Sequence, residues 1–170
     1  MIEQAAITEA RKEDLPGILE IWNHEILTGT AIFDETPKTI QEVEAWWKER
    51  KSGGFPVFVI LEENQVMCYG TYAQFRPKTG YRISVEHSIY AHPESRGKGL
   101  GKLMMRKLIQ TARDQKLENM IGVIDGSNYK SIRFHEKFGF IECGRMERIG
   151  IKFGRHLDIV IMQLQLRQNL

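Results

Sequence analysis

The stretch "SVEHSIYAHPESRGKGLGKLMMRKL", Ser84 to Leu108, joins a strand-like run to a helix-like one through glycines at Gly97, Gly99 and Gly101. In its first part, strand alternation puts Ile83, Val85, His87 and Ile89 on one face and Ser84, Glu86, Ser88 and Tyr90 on the other. Beyond the glycines, Leu100, Leu103, Met104, Leu108, Ile109 and Ala112 recur at helical spacing, while Lys102, Arg106, Gln110 and Arg113 fall largely elsewhere. Strand, glycine-rich turn, helix is a layout that offers backbone N–H groups and a helix N-terminus to a phosphate, because glycine tolerates unusual dihedrals and close approach. Spacing then discriminates among phosphate loops. A Walker A loop fails, since Arg96 stands where its first glycine belongs and Leu103 follows Lys102. A dinucleotide fingerprint fails from Gly97, which puts Lys102 at the last glycine, and from Gly99, which puts Met104 there. The frame that fits is R-x-x-G-x-G, filled by Arg96, Gly99 and Gly101.

Working outward, Ala5 to Glu9 reads as a short first strand and Glu13 to Thr28 as a helix, with Pro16 early enough for a first turn. Thr39 offers an N-cap to a second helix running through Trp46 and Trp47 to about Lys51, stopped by Gly53 and Gly54. "PVFVILEE" and "VMCYGTYAQF" flank Asn64 as a hairpin whose apolar runs are too continuous for a one-sided sheet. After the glycine joint and its helix, "NMIGVI" reads as a buried strand and "SNYKSIRFHEKFG" as a short helix ended by Gly139. "FIECGRM" and "LDIVIMQLQL" read as closing strands. The order β, α, α, β, β, β, α, β, α, β, β predicts a mixed α/β (α+β) sheet covered by helices, with no repeat or linker to divide it.

A chain of 170 residues with 42% hydrophobic content predicts a single domain over 1–170 with a real core. Its 24 basic and 22 acidic residues are interspersed, leaving a formal charge of +2 and no basic tract, so no nucleic acid partner is expected. No segment has the length and apolarity of a membrane span or a leader, so a soluble cytoplasmic protein with no membrane partner is expected. Cys68 and Cys143 sit in apolar, strand-like surroundings and read as reduced core residues. The five histidines lack metal-ligand spacing, and no metal is expected.

The Arg96, Gly99, Gly101 frame resembles the signature with which the GNAT superfamily of N-acetyltransferases binds the pyrophosphate of acetyl-CoA. A second segment at the expected distance, "SNYKSIRFHEKFGF", resembles that superfamily's other hallmark stretch. The resemblance narrows to acetyltransferases of the phosphinothricin and methionine sulfoximine type on "WNHEILTGTAIFDETP", "GYRISVEHSIYAHP", "SIRFHEKFGF" and "GIKFGRHLD", which together span nearly the whole chain. Trp22, Ala91 and His156 depart from that type, in ways that bear on the acceptor pocket. The resemblance implies a mostly antiparallel sheet of about seven strands flanked by about four helices. It implies acetyl-CoA as co-substrate, held by Arg96, Gly97, Lys98, Gly99, Leu100, Gly101 and Lys102 at the pyrophosphate. Ile89, Tyr90 and Ala91 are implied along the pantetheine arm, with Asn128 and Ser131 toward the thiol. It also implies a homodimer, and protection against such inhibitors.

Acetyl transfer to an amine needs an unprotonated nitrogen, a donor for the developing oxyanion and a proton for the departing thiolate. Glu86, a carboxylate within an inner strand, is the candidate base. His135 matches the phosphinothricin-type pattern as candidate acid, with Tyr90 and Tyr129 as alternatives between which the sequence does not choose. An amino acid acceptor brings a carboxylate that suits an arginine fork, so Arg76 and Arg82 are candidate clamps, with Lys152 third and Phe33 a candidate pocket wall. Three readings remain: transfer to a small amino acid analogue, transfer to a protein N-terminus or polyamine, and a non-catalytic acetyl-CoA-binding module. The arginines argue against a polyamine, and Glu86 with His135 argues against a module without turnover.

Overall fold

The apolar stripe beyond the glycine joint becomes a helix, Leu100–Asp114, whose Leu100, Met104, Met105, Leu108, Ile109 and Ala112 are buried against a sheet. The computed structural model describes residues 6–167, so Ala5, the expected start of the first strand, lies outside the described residues. In chain order the elements are β1 (Ile7–Glu9), α1 (Leu15–Thr28), α2 (Ile40–Ser52), β2 (Val57–Glu62), β3 (Gln65–Gln74) and β4 (Ser84–Ala91). There follow α3 (Leu100–Asp114), β5 (Asn119–Asp125), α4 (Tyr129–Glu136), β6 (Ile141–Lys152) and β7 (Arg155–Gln165). The strands form a seven-stranded sheet in the order β1-β2-β3-β4-β5-β7-β6. Every pairing is antiparallel except β4 with β5. The mixed, mostly antiparallel α/β architecture expected from the sequence is present.

Both faces of the sheet are covered, which is why β2 and β3 read as continuous apolar runs. On one face Leu15, Ile18 and Ile21 of α1 and Val43 of α2 pack on Val57, Val59, Val66 and Tyr69. On the other, α3 and α4 bury Met104, Leu108 and Ile132 against Ile60, Cys68, Tyr72, Val85, Met120 and Val160. Thr39 caps α2 as its sequence suggests, its hydroxyl accepting from the Glu42 amide while the Glu42 carboxylate returns the bond to the Thr39 amide. The β2–β3 turn falls at Glu63 and Asn64, both with positive φ (49° and 66°), the pair of left-handed residues that a two-residue hairpin turn of this hand requires.

The sequence reading is corrected at the end of the chain. β6 does not stop at Met146 but runs to Lys152, and "GIKFGRHLD" makes a β6–β7 hairpin that turns at Phe153 and Gly154 (φ 51° and 69°). The alternation that would have marked it is broken by register shifts between Glu142 and Gly144 and between Met146 and Gly150. β6 is also an edge strand and largely exposed, so Cys143 on it is exposed rather than a core residue, while Cys68 is buried as expected. Among the described residues no helix is long and apolar enough to cross a membrane, and there is no cluster of metal-ligating side chains.

One irregularity positions the site. β4 pairs with β3 along its whole length, from Gln74↔Val85 to Cys68↔Ala91, and β5 pairs with β7 from Asn119 to Asp125. Yet β4 and β5 pair with each other only at Ser84↔Asn119, Val85↔Met120 and Glu86↔Ile121. Past Glu86 and Ile121 the two central strands diverge while each keeps its outer partner. A wedge opens in the middle of the sheet.

Candidate active site

The wedge is a cavity of about 220 Å³ lined by Glu86 to Tyr90 of β4, Gly122 to Asp125 of β5, and Asn128, Ser131 and His135 of α4 and its cap. Ala31 and Phe33 close it from the loop after α1. Along this wall β4 has one edge bonded to β3 and the other free, so Ile89 and Ala91 present unpaired backbone to the opening, while the backbone of Tyr90 between them is turned to β3. An extended ligand chain with amide groups can take the place of the missing strand.

Glu86 stands where the divergence begins, on the α1/α2 side of β4. Burial raises its carboxyl above the usual carboxylate range, and the Arg76 charge partly opposes that. Its neighbour His87 points to the opposite side and meets His135, the two Nε2 atoms 3.0 Å apart and the rings stacked with centroids 5.0 Å apart. His135 Nδ1 lies 2.7 Å from the Ser131 carbonyl, which can only accept, so His135 carries its proton on Nδ1. In the neutral ring, Nε2 of His135 is then a lone pair, and His87 must donate to it from Nε2. That leaves His87 Nδ1 as a bare acceptor, buried and without a protein partner. Burial lowers both rings' proton affinity, His87 to about 3 with His135's charge adding to the effect. Both are therefore neutral near pH 7. Gly122 of β5 makes room for them: a Cβ there would stand 3.1 Å from the His135 ring and 3.3 Å from His87 Nε2.

At the far end lies the glycine joint. Gly97 and Gly99 adopt φ of 86° and 81°, left-handed values that favour glycine, and Gly99 is the residue before α3 begins. The amides of Gly97, Gly99, Leu100 and Gly101 donate to no backbone carbonyl among the described residues. Four free N–H groups at the N-terminus of a fifteen-residue helix suit a pyrophosphate. Arg96 and Lys98 are exposed beside them, Arg96 toward Glu25 at 3.9 Å and Lys98 bonded to Glu62 at 2.8 Å. Lys102 is exposed on the first turn of α3. Asn128 caps α4, its side chain accepting from the Ser131 amide at 3.1 Å.

The residues named for the acceptor divide. Phe33 lines the cavity and rests on Gly150 of β6, where a Cβ would come within 2.6 Å of its ring. Lys152 does not reach the cavity. Its buried ammonium donates to the Ile32 carbonyl at 2.6 Å, and burial lowers its proton affinity against the raising effect of Glu25, Asp34 and Glu35. It thus anchors the loop that carries Phe33, as does the Phe153 amide, which donates to Glu35 Oε1 at 3.2 Å. Arg76 is exposed over the Phe75 ring at 4.6 Å, within charge range of Glu86 but outside the cavity lining. Arg82 is exposed and bonded to the Thr79 carbonyl, away from the cavity. Of the alternative acids, Tyr90 lines the cavity with its hydroxyl pushed up to about 12 by burial, so it is a protonated donor, whereas Tyr129 is 66% exposed and outside. Trp22 packs in an aromatic cluster with Trp46 and Tyr69, and His156 lies exposed beside Arg148, so neither lines the cavity.

Several cavity residues escaped the sequence reading, three of them telling: His87 was assigned to an apolar face, Gly122 was hidden inside an apolar strand, and Asp125 fell just past the end of that strand as read. The Asp125 carboxylate is buried and accepts from Thr30, from the Ser127 amide at 2.9 Å and from the Ser127 hydroxyl at 2.8 Å. Burial acts to raise its pKa, but those bonds and Arg155 outweigh it, and the group titrates below the usual range.

Comparison with known proteins agrees with this geometry. The family model described as acetyltransferase (GNAT) matches residues 6–140. The L-methionine sulfoximine/L-methionine sulfone acetyltransferase of Pseudomonas aeruginosa is 42% identical over 163 residues, covering 95% of each chain. A crystal structure of a GNAT superfamily phosphinothricin acetyltransferase from Sinorhizobium meliloti, in complex with acetyl-CoA, superposes with a TM-score of 0.92 at 37% identity, covering 95% of this chain and 88% of that one. A structure named ribosomal-protein-alanine N-acetyltransferase, from Brucella melitensis, superposes with a TM-score of 0.92 at 39% identity, covering 94% of this chain and 99% of that one. A split central sheet, an amide cradle at the head of α3 and these matches lead to one conclusion: the chain belongs to the acetyltransferase (GNAT) family.

Proposed function

We propose that this protein, as a single catalytic domain in the cytoplasm, uses acetyl-CoA to acetylate the α-amine of a small amino acid analogue such as methionine sulfoximine, methionine sulfone or phosphinothricin. The observation that carries the reading is the wedge between β4 and β5, with a raised carboxyl at its apex and free amides at its far end. Acetyl-CoA supplies an activated acyl carbon and a thiolate leaving group. Glu86 draws a proton from the incoming ammonium, directly or through a water, which its raised pKa suits it to do near neutral pH. The amides of Gly97 to Gly101 and the free edge of β4 hold the donor, with Arg96, Lys98 and Lys102 around the phosphates. Phe33 walls the acceptor's side chain, and Arg76, the arginine whose charge reaches Glu86, attracts its carboxylate. Relatives named for methionine sulfoximine and phosphinothricin support this acceptor class.

The Brucella structure's name favours a second reading, transfer to a protein N-terminus. A panel assay decides: thiol release from acetyl-CoA with methionine sulfoximine, methionine sulfone, phosphinothricin, alanine-initiated peptides and polyamines. Turnover on the amino acid analogues is expected. Turnover confined to peptides overturns the small-acceptor reading, and acetyl-CoA binding without any turnover overturns the enzymatic one. Homodimerisation belongs to the same proposal, through the edge strand β6, which exposes Ile141, Met146, Ile149 and Ile151, and the turn after it, which exposes Phe153.

A further inference from the structure

Resting on the acetyl-transfer reading above, we propose that Arg50 of α2 determines acceptor specificity: with Arg76 it forms a two-arginine subsite for the acceptor's α-carboxylate, in a groove between α2 and the end of β3, beside Glu86.

Arg50 lies on an unusual face of its helix for a cation. Val43, Trp46, Trp47 and Arg50 recur at helical spacing, and this is the stripe with which α2 packs on the sheet. The Arg50 side chain is accordingly only 21% exposed, and its guanidinium carbon is drawn to 5.8 Å from the centre of the Trp46 ring. Burial strips hydration from the group, and the chain returns little of it. Arg50 Nε has no partner among the described residues, and the ion pair of its Nη1 with Glu49 Oε1, at 3.7 Å, goes to a carboxylate 76% exposed, where such pairs are weak. Desolvation acts against the charge, yet an arginine does not give up its proton. A buried cation so poorly matched within the chain calls for an anion from outside it.

A groove of about 470 Å³ runs past Arg50 and is lined opposite by Ala73 of β3 and by Phe75, Arg76 and Pro77 just beyond that strand. Ala73 is the register partner of Glu86, so the two side chains rise together toward α2, about 5 Å apart. Arg76 is held at the other side of the groove. The Gln74 amide donates to the Arg76 and Lys78 carbonyls at 2.6 and 3.0 Å, fixing the turn, and the Arg76 guanidinium lies over the Phe75 ring at 4.6 Å. The Arg76 charge reaches Glu86, which ties the groove to the base. Among the described residues, Glu49 is the one carboxylate in the lining. An amino acid carries its ammonium and its carboxylate on one carbon. With the ammonium at Glu86, the carboxylate turns over Ala73 toward the two arginines, Arg76 as the exposed arm and Arg50 as the buried one, whose dehydrated fork favours a carboxylate more than a solvated one would. A polyamine or a peptide N-terminus brings no carboxylate to that place, so the groove selects free amino acids.

The discriminating variant is Arg50→Met, which keeps the stem on the stripe and removes the fork. With methionine sulfoximine, the acceptor's KM is expected to rise about 10- to 100-fold, with kcat and the KM for acetyl-CoA changed less than about two-fold. Arg50→Lys should recover only part of that loss, since an ammonium lacks the fork. 3-Aminopropyl methyl sulfoximine, the same acceptor without its carboxylate, should show the same KM with wild type and Arg50→Met. Independently of turnover, calorimetric affinity for methionine sulfoximine in the presence of coenzyme A, which has no acetyl group to give, should fall by the same factor as KM rises. The thermal midpoint of Arg50→Met should not drop, because a desolvated charge has left an apolar stripe. Active wild type with an unchanged acceptor KM in Arg50→Met overturns the subsite alone. So does an equal loss on the carboxylate-free amine, or a lowered midpoint with both substrates affected alike, the mark of a merely structural residue. Wild type that acetylates no amine overturns the acetyl-transfer reading on which the subsite rests.

Discussion

Glu86 is a carboxylate whose environment resists its charge. Its folded pKa is raised, so the ionised form that serves as a base is filled at higher pH than for an ordinary glutamate, and kcat should climb as pH rises through that value. Glu86→Gln is expected to lower kcat roughly 10²- to 10³-fold, to abolish that ascending limb and to leave the KM for acetyl-CoA unchanged. Steady-state kinetics from pH 5 to 9 check all three. The histidine pair carries the opposite sign for stability. Its rings are held below their unfolded pKa, so their contribution is complete above about 6.5 and is lost as pH falls toward the folded value. The urea midpoint should therefore drop between pH 6.5 and 4, and less steeply in His87→Gln. Glu86 was legible in the sequence because a charge in the middle of an inner strand contradicts its surroundings. His87 was not, because alternation groups it with Val85 and Ile89 and nothing local shows that α4 brings a second imidazole to it. Gly122 is silent for the same reason: its meaning is the space it leaves for a ring on another element.

The elements best read from sequence were those whose signals are local. The stripe of α3, the Thr39 cap and the turn at Asn64 each announce themselves within a few positions, although Glu63, the other turn residue, was read into the strand. The β6–β7 hairpin was truncated because its register shifts break the alternation on which such a reading depends. Through that hairpin, Lys152, Gly150 and Phe153 together seat the loop carrying Phe33. Lys152 looked like a substrate clamp because a lone cation near the end of a strand gives no sign of whether a backbone carbonyl is waiting for it. Lys152→Met keeps the stem but removes the bond to Ile32. It should raise the acceptor's KM several-fold, leave that for acetyl-CoA unchanged and speed hydrogen exchange in residues 30–37. A direct contact to the acceptor's carboxylate would raise KM without altering exchange there.

For the molecule as a whole, the edge strand β6 exposes Ile149 at 55% and Ile151 at 58%, together with unpaired backbone. Isolated monomers seldom leave such a row uncovered. Ile149→Lys with Ile151→Glu should shift the protein from dimer to monomer in light scattering, without loss of folding, since both side chains are already outside the core. A wild type that is monomeric at micromolar concentration would end the dimer proposal.

The divergence of β4 and β5 also has a cost in cohesion. Four strands on one side of the split and three on the other are joined within the sheet by pairings at only three positions, Ser84 to Glu86 with Asn119 to Ile121. In the proposed binding mode, a donor lying along the free edge of β4 supplies rungs that the chain itself withholds, which would make acetyl-CoA a structural member as well as a reagent. Ligand that binds only the folded state raises stability with its concentration. The protein's resistance to unfolding and proteolysis is therefore expected to rise with acetyl-CoA concentration, so that a shortage of acetyl groups would leave a weaker enzyme before it left an idle one.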